Sequence, residues 1–153
     1  DANHTDVEVT LSFVKEVVNI CEVYYITGNH ENWLDESTKT NLLSQMQSYG
    51  VKCLSNEVVT ITRGGEEINV IGLNDENLAD ATLTNIVAEN DSDKFSILLA
   101  HEPQYMNYYA GKADLIFSGH AHGGQIRFRR NGRWHGLYHQ RVAAQRRGFE
   151  DPE

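Results

Sequence analysis

Residues 118–125 read Ser-Gly-His-Ala-His-Gly-Gly-Gln, and they follow a short apolar run that ends at Phe117. Such a run predicts a buried strand. The glycines after it allow the backbone to turn sharply and to approach a ligand closely. Two histidines spaced i, i+2, here His120 and His122, can each offer a ring nitrogen to a metal ion at the end of a strand. Taken alone, the pattern fits equally well two polar residues in a glycine turn.

Two other predicted strands also end next to a histidine. Residues 23–27 precede Gly-Asn-His-Glu at 28–31, and residues 95–100 precede His101. In open α/β sheets, ligands bind beyond the carboxyl ends of the strands. We therefore expect the polar side chains at these strand ends to converge on one concave site: Asn29, His101, His120 and His122.

In order and context, these three blocks resemble the calcineurin-like metallophosphoesterases. The blocks of that family run D-x-H, G-D-x-x-D, G-N-H-[DE], a lone histidine after a strand, and G-H-x-H. The chain has the last three, at residues 28–31, 98–103 and 118–126, and lacks the first two. The G-H-A-H-G-G-Q block is most similar to a bacterial branch of the family. We interpret residues 1–126 as the C-terminal portion of such a domain.

The resemblance implies an α/β fold, an α/β/β/α sandwich that is here truncated at its N-terminal side. It also implies two divalent metal ions, with Mn, Fe or Zn favoured by a mixed nitrogen and oxygen ligand set. Asn29, His101 and His120 would ligate one metal, and three ligands can hold zinc with water in a fourth position. His122 would ligate the other metal, for which one ligand from this chain is too few.

The activity implied by the resemblance is metal-dependent phosphoester hydrolysis, by a phosphodiesterase or a phosphatase. Two metals can activate a hydroxide and clamp the phosphate oxygens. Because the bridging carboxylate belongs to a missing block, we expect the fragment alone to be inactive. A non-catalytic metal-binding or scaffolding protein that kept this fold is the main alternative.

His30 and Asp1 are the candidate catalytic residues. His30 adjoins a predicted ligand, where an imidazolium could stabilise phosphate charge or protonate the leaving oxygen. In the resembled family, the G-D-x-x-D block ends in an aspartate that orients this histidine, and Asp1 precedes it by the same helix and strand. Asp1 would then raise the pKa of His30. The alternative is a frayed terminal residue. Glu31 is predicted to be structural or to support the ligands.

Hydrophobic periodicity predicts an alternation of helices and strands. The predicted hairpin turn is Arg63-Gly64-Gly65, and Gly50 is predicted to end a helix. The predicted helices are 5–20, 32–49, 81–88 and 103–110, and the predicted strands are 23–27, 51–54, 57–62, 66–73, 95–100, 114–118 and 125–128.

The composition changes near residue 127. Residues 127–153 contain seven arginines, no lysine and three acidic residues, whereas the rest of the chain contains one arginine and five lysines. We treat 127–153 as an Arg-rich tail whose origin stays open, and we expect it to be poorly ordered. Its basic and aromatic residues leave a nucleic-acid-binding module as a further alternative, although we expect no nucleic-acid partner.

The partner expected from the resemblance is a phosphoester substrate. The chain has no 18-residue apolar run, so we expect nothing in it to span a membrane. The resembled branch often carries an N-terminal membrane anchor, which would lie upstream of Asp1 in a full-length parent. With only two cysteines a reducing compartment is favoured, and the expected location is cytoplasmic or peripheral to a membrane.

Overall fold

The structure is a computed structural model that describes residues 7–74, 84–87 and 93–120, together with the backbone of residues 127–130 and 133–136. Asp1 and His122 lie outside these ranges. None of the helices in the described part of the chain is both long and apolar enough to cross a bilayer.

The N-terminal part packs two helices against a small parallel sheet. Helix α1 spans Val7–Val17 and helix α3 spans Glu36–Ser48. Strands β1 (Tyr24–Tyr25) and β2 (Lys52–Cys53) pair in parallel. Apolar residues at helical spacing meet between these elements because each helix turns one stripe inward. The buried members of this first core are Leu11, Val14, Leu42, Met46 and Val51.

The helix predicted over residues 32–49 forms, but it begins at Glu36 and not at Asn32. The short helix α2 (Asn29–Asn32) comes first, and α3 begins after Asp35. Asp35 is extended, and its carboxylate accepts a hydrogen bond from the Thr38 backbone N–H at 3.0 Å. This is the geometry of an N-cap, which starts a new helix. Gly50, with φ of 101°, follows the end of α3 as predicted.

The second sheet has four strands in the order β3-β4-β5-β6. Strands β3 (Glu57–Arg63) and β4 (Glu66–Gly72) form the predicted hairpin, whose Gly64 and Gly65 both have positive φ. Strands β5 (Phe95–Leu99) and β6 (Leu115–Phe117) continue the sheet in parallel with β4. Because β4, β5 and β6 run in one direction, their carboxyl ends share one edge of the sheet.

A second core covers one face of this sheet. Its members that follow one another in sequence, Ile71 and Leu73 or Leu98 and Ala100, are two residues apart, as expected for side chains on one face of a sheet. Helical residues 84–87 and the single helical turn Met106–Tyr109 contribute Ile86 and Tyr109 to it. The buried members from the sheet and its edges are Ile71, Leu73, Leu98, Ala100, Ala113 and Ile116.

The two sheets approach each other closely at Gly72. A Cβ added there would lie 2.2 Å from the Cβ of Leu54, the residue two positions after Lys52 in β2. A side chain at position 72 would therefore push the two sheets apart. Helices, parallel strands and an antiparallel hairpin in these layers confirm the predicted mixed α/β fold class.

Two strands lie within the Arg-rich tail. Strands β7 (Arg127–Arg130) and β8 (Arg133–Gly136) pair antiparallel, with Arg127 opposite Gly136. The sequence predicted the first of them two residues earlier, at 125–128. The boundary at residue 126 and the poor order of the tail as a whole stay predictions.

Candidate metal centre

Three chain segments deliver polar side chains to one place. Asn29 is the first residue of α2, shortly after β1, whereas His101 and His120 follow β5 and β6. Leu99 pairs with Phe117, and the Ala100 N–H donates to the Phe117 carbonyl at 3.0 Å. The last residues of two parallel neighbours are thus held side by side, so the histidines that follow emerge at the same sheet edge.

Three of the four predicted ligands converge. His101 Nε2 lies 2.8 Å from Asn29 Oδ1, and His120 Nδ1 lies 3.1 Å from the same oxygen. The two ring nitrogens are 3.2 Å apart. His122 lies outside the described residues. The structure therefore brings Asn29, His101 and His120 together, and their role as metal ligands stays a prediction.

This triangle of atoms suits a cation better than it suits hydrogen bonds. The amide oxygen of Asn29 can only accept, and each neutral ring nitrogen either donates or accepts. If both rings donate to the oxygen, two N–H groups face each other, and if only one donates, two lone pairs face each other. Donors about 2.1 Å from one shared ion stand about 3.0 Å apart in octahedral geometry and about 3.4 Å apart in tetrahedral geometry, and the three distances of 2.8, 3.1 and 3.2 Å are close to these values.

The ring of His101 lies between two glycines. A Cβ at Gly28 would lie 2.6 Å from its Cε1, and a Cβ at Gly119 would lie 3.0 Å from its Nδ1. The first distance is shorter than any normal contact, and the second leaves room for a Cβ only if the ring shifts slightly. The G-N-H block and the G-H-x-H block therefore each contribute a glycine, which lets the backbone pass directly beside the ring of His101.

His120 has an unusual backbone conformation. Its φ is 60°, in the left-handed region that residues with a side chain rarely adopt. Such a conformation costs about 1–3 kcal/mol and persists where the surrounding structure imposes it, commonly at functional sites. Here it accompanies an edge-on arrangement of the His120 and His101 rings, with centroids 5.1 Å apart.

Glu31 fixes the start of α2, as its predicted structural role requires. Its carboxylate accepts a hydrogen bond from the Gly28 backbone N–H at 2.8 Å, which closes a capping arrangement around Asn29. Tyr25 lies beneath it. Burial first, and then the neighbouring Glu31 carboxylate, raises the pKa of Tyr25 well above its usual range, so its hydroxyl stays protonated.

His30 is half-buried and stacks on Trp33. The ring centroids are 4.7 Å apart, and the planes differ by 23°. Trp33 is 62% exposed, so much of the indole is open to solvent next to the predicted acid. Asp1 lies outside the described residues, so its pairing with His30 stays a prediction.

Glu102 is a residue of this centre that sequence reasoning missed. The ligand atoms of His101, Glu102 and His120 all lie within 4.8 Å of one another, an arrangement that could hold a metal ion. The signal for it was available, because a carboxylate directly after a predicted ligand in Leu-Leu-Ala-His-Glu-Pro is a candidate for the same ion.

Asn74 was missed as well, and it ties the loops of the site together. Its side-chain oxygen accepts from Thr27 Oγ1 at 3.2 Å, and its amide donates to Ser55 Oγ at 3.2 Å. Its backbone N–H donates to Asn56 Oδ1 at 2.9 Å. One asparagine at the end of β4 thus holds the segment before Gly28 and the turn after β2.

Known proteins resemble the chain over most of its length. A sequence model of the family described as calcineurin-like phosphoesterase matches residues 1–124. The chain is 32% identical to the uncharacterized protein YpbG of Bacillus subtilis, over 69% of this chain and 40% of that protein. It is 29% identical to the uncharacterized metallophosphoesterase YkoQ of Bacillus subtilis, over 68% of this chain and 38% of that protein.

A third relative is the uncharacterized metallophosphoesterase Cj0846 of Campylobacter jejuni. The identity is 30%, over 82% of this chain and 34% of that protein. The chain therefore spans two fifths or less of the length of these curated relatives.

Proposed function

The chain belongs to the calcineurin-like phosphoesterase family, and on that basis we propose that it is part of a metal-dependent phosphoester hydrolase, a phosphodiesterase or a phosphatase. Members of this family use divalent metal ions. The observation that carries the proposal is the convergence of Asn29 Oδ1, His101 Nε2 and His120 Nδ1 within 3.2 Å of one another. These three side chains would hold one metal ion, and His122 would contribute to a second.

Bound divalent ions would supply Lewis-acid chemistry, since they neutralise phosphate charge and make water a better nucleophile at neutral pH. The residues of the chain would position the metal ion and donate a proton to the leaving oxygen. Asn29, His101 and His120 offer neutral donors that leave the positive charge of the ion available to an anionic substrate. His30, one residue from Asn29, would stabilise phosphate charge or donate a proton to the leaving oxygen.

The stacking of His30 on Trp33 supports this role for His30. A ring held against an indole has a restricted orientation, and orientation is a large part of what a proton donor contributes to catalysis. A protonated imidazole is also stabilised by an aromatic face.

The direct test compares hydrolysis of a generic phosphodiester and a generic phosphomonoester by the full-length parent, with Mn²⁺ added after metal removal. We expect Mn²⁺-dependent turnover by the parent, and loss of it on His101→Ala or His120→Ala. We expect little or no turnover by the 153-residue chain. A parent that binds Mn²⁺ at these residues and hydrolyses neither ester would instead support the non-catalytic metal-binding alternative.

A further inference from the structure

We propose that the Glu102 carboxylate is a fourth protein ligand of the metal ion held by Asn29, His101 and His120. This inference rests on the proposed function, because it requires a metal ion at this centre. It adds to that function a charged ligand, one that changes how strongly the ion polarises a substrate.

The distances allow one ion to reach all these donors. Glu102 Oε1 lies 3.8 Å from His120 Nδ1. Donors about 2.1 Å from a shared ion are separated by about 3 Å at right angles and by about 4.3 Å when opposite. The 3.8 Å separation falls in this span. Every separation within the group His101, Glu102 and His120 is at most 4.8 Å, an arrangement that could hold one metal ion.

The backbone holds Glu102 in place. The chain bends at His101, which lets two successive side chains reach the same centre instead of pointing to opposite faces. Glu102 itself is extended, with φ of −90° and ψ of 101°. Pro103 follows it, and a residue that precedes proline is confined to this region. The backbone that carries the Glu102 side chain is therefore restricted in conformation.

The burial and the negative charge of the Glu102 side chain also support its role as a metal ligand. The side chain of Glu102 is only 13% exposed, and a largely buried carboxylate is costly unless its charge is compensated. Its Oε2 accepts a hydrogen bond from the neutral Gln104 side chain, which leaves Oε1 on the side of the histidines. The contact to His120 is longer than a hydrogen bond. A divalent cation between Oε1 and the rings would compensate the charge.

In this chain Glu102 would supply negative charge to the cation, because the bridging carboxylate expected from the resemblance belongs to a block that residues 1–153 do not contain. Asn29, His101 and His120 are all neutral donors when they ligate a metal. A carboxylate added to this set lowers the net charge of the centre and suits oxygen-preferring ions such as Mn²⁺ as well as Zn²⁺. Glu102 is the acidic residue that the described part of the chain places beside these donors.

The test is a Co²⁺ titration of the 153-residue chain, followed by visible absorption. Glu102→Gln keeps the size of the side chain and removes its charge. Glu66→Gln, at the exposed start of β4, makes the same charge change away from the centre. We expect Glu102→Gln to weaken Co²⁺ binding on the order of tenfold or more and to change the position and intensity of the ligand-field bands. Glu66→Gln should change neither.

Glu102→Asp guards against a folding defect, because it keeps the charge on a shorter side chain. We expect it to recover part of the affinity, with bands closer to those of the unmodified chain. Unchanged affinity and spectrum in Glu102→Gln would overturn the inference and leave the proposed function standing. Weaker binding with unchanged bands would also overturn it, since Glu102 would then only position the ligands. If neither the unmodified chain nor the full-length parent binds Co²⁺, both the metal centre and the inference are wrong.

Discussion

Gly28 and Gly119 provide the space that the His101 ring occupies in the metal centre. Both lie against the ring of His101, with no room for a Cβ at Gly28 and little at Gly119. The backbone at Gly28 is extended, with φ of −116°, so space rather than conformational freedom requires glycine there. This explains in physical terms why a G-N-H block and a G-H-x-H block go together.

Gly28→Ala should therefore displace the His101 ring and weaken metal binding, on the order of tenfold or more. Gly119→Ala should have a smaller effect, because its nearest contact is 3.0 Å rather than 2.6 Å. Both effects are measured by comparing the Co²⁺ affinities of the two variants with that of the unmodified chain. Equal affinities for all three proteins would show that the ring is not confined as described.

Tyr25 gives a residue-scale prediction for alkaline pH. Its pKa is raised in the folded protein, by burial first and by Glu31 second. The folded state therefore holds the phenolic proton when the unfolded chain, with a pKa of about 10, has lost it. The stabilisation is complete below about pH 10 and declines as the pH rises above it.

Tyr25→Phe should remove this contribution. We expect the unfolding free energy of the unmodified chain, measured by urea titration, to fall more steeply above pH 10 than that of the variant. Tyr105→Phe, at a tyrosine that is 47% exposed, is the control and should retain the slope of the unmodified chain. Parallel pH profiles for Tyr25→Phe and the unmodified chain would contradict the prediction.

At the scale of elements, the N-cap of α3 separates this helix from α2, which carries the predicted ligand Asn29. Asp35 separates α2 from α3, and hydrogen bonds from the Ser37 hydroxyl and from Thr38 hold the pKa of its carboxyl well below its usual range. A carboxyl with a lowered pKa stabilises the fold above its unfolded pKa of about 3.9, and loses that effect as the pH falls through its folded value. The cap also lets α2 be a separate turn that presents Asn29.

Asp35→Ala should lower the melting temperature at pH 7, because α3 loses its N-cap. The difference from the unmodified chain should shrink as the pH is lowered from 5 towards 2. Glu36→Ala removes a neighbouring acid that does not cap the helix, and it should have a smaller effect. Thermal unfolding followed by circular dichroism gives both values. A difference between Asp35→Ala and the unmodified chain that is independent of pH would contradict the role assigned to the carboxylate.

At the scale of the whole molecule, the sequence predicted the α/β fold and the convergence of Asn29, His101 and His120 better than it predicted where helices and strands begin and end. The strands before His101 and His120 were found because they are short apolar runs. The start of α3 was placed at Asn32 instead of Glu36 because asparagine and aspartate can both cap a helix, and only the structure shows that the Asp35 carboxylate accepts from the Thr38 N–H. Asn74 was missed because its three partners are distant in sequence.

The Arg-rich tail offers a test of domain organisation. We expect limited trypsin digestion to remove residues beyond about 127 while it spares the cores built from residues 7–120, since arginine is frequent in the tail and buried apolar residues protect the remainder. Mass spectrometry of the fragments locates the cuts. A tail that resists digestion as long as the cores do would show that it packs as part of the domain, and it would favour the nucleic-acid-binding alternative.

The central claim is that Asn29, His101 and His120 bind one metal ion. Crystals of the chain grown with Zn²⁺, with diffraction data collected on both sides of the zinc absorption edge, locate the ion directly. We predict an anomalous peak about 2.0–2.2 Å from Asn29 Oδ1, His101 Nε2 and His120 Nδ1. Full crystallographic order at these three side chains with no peak between them, or a zinc ion bound only elsewhere, would contradict the account.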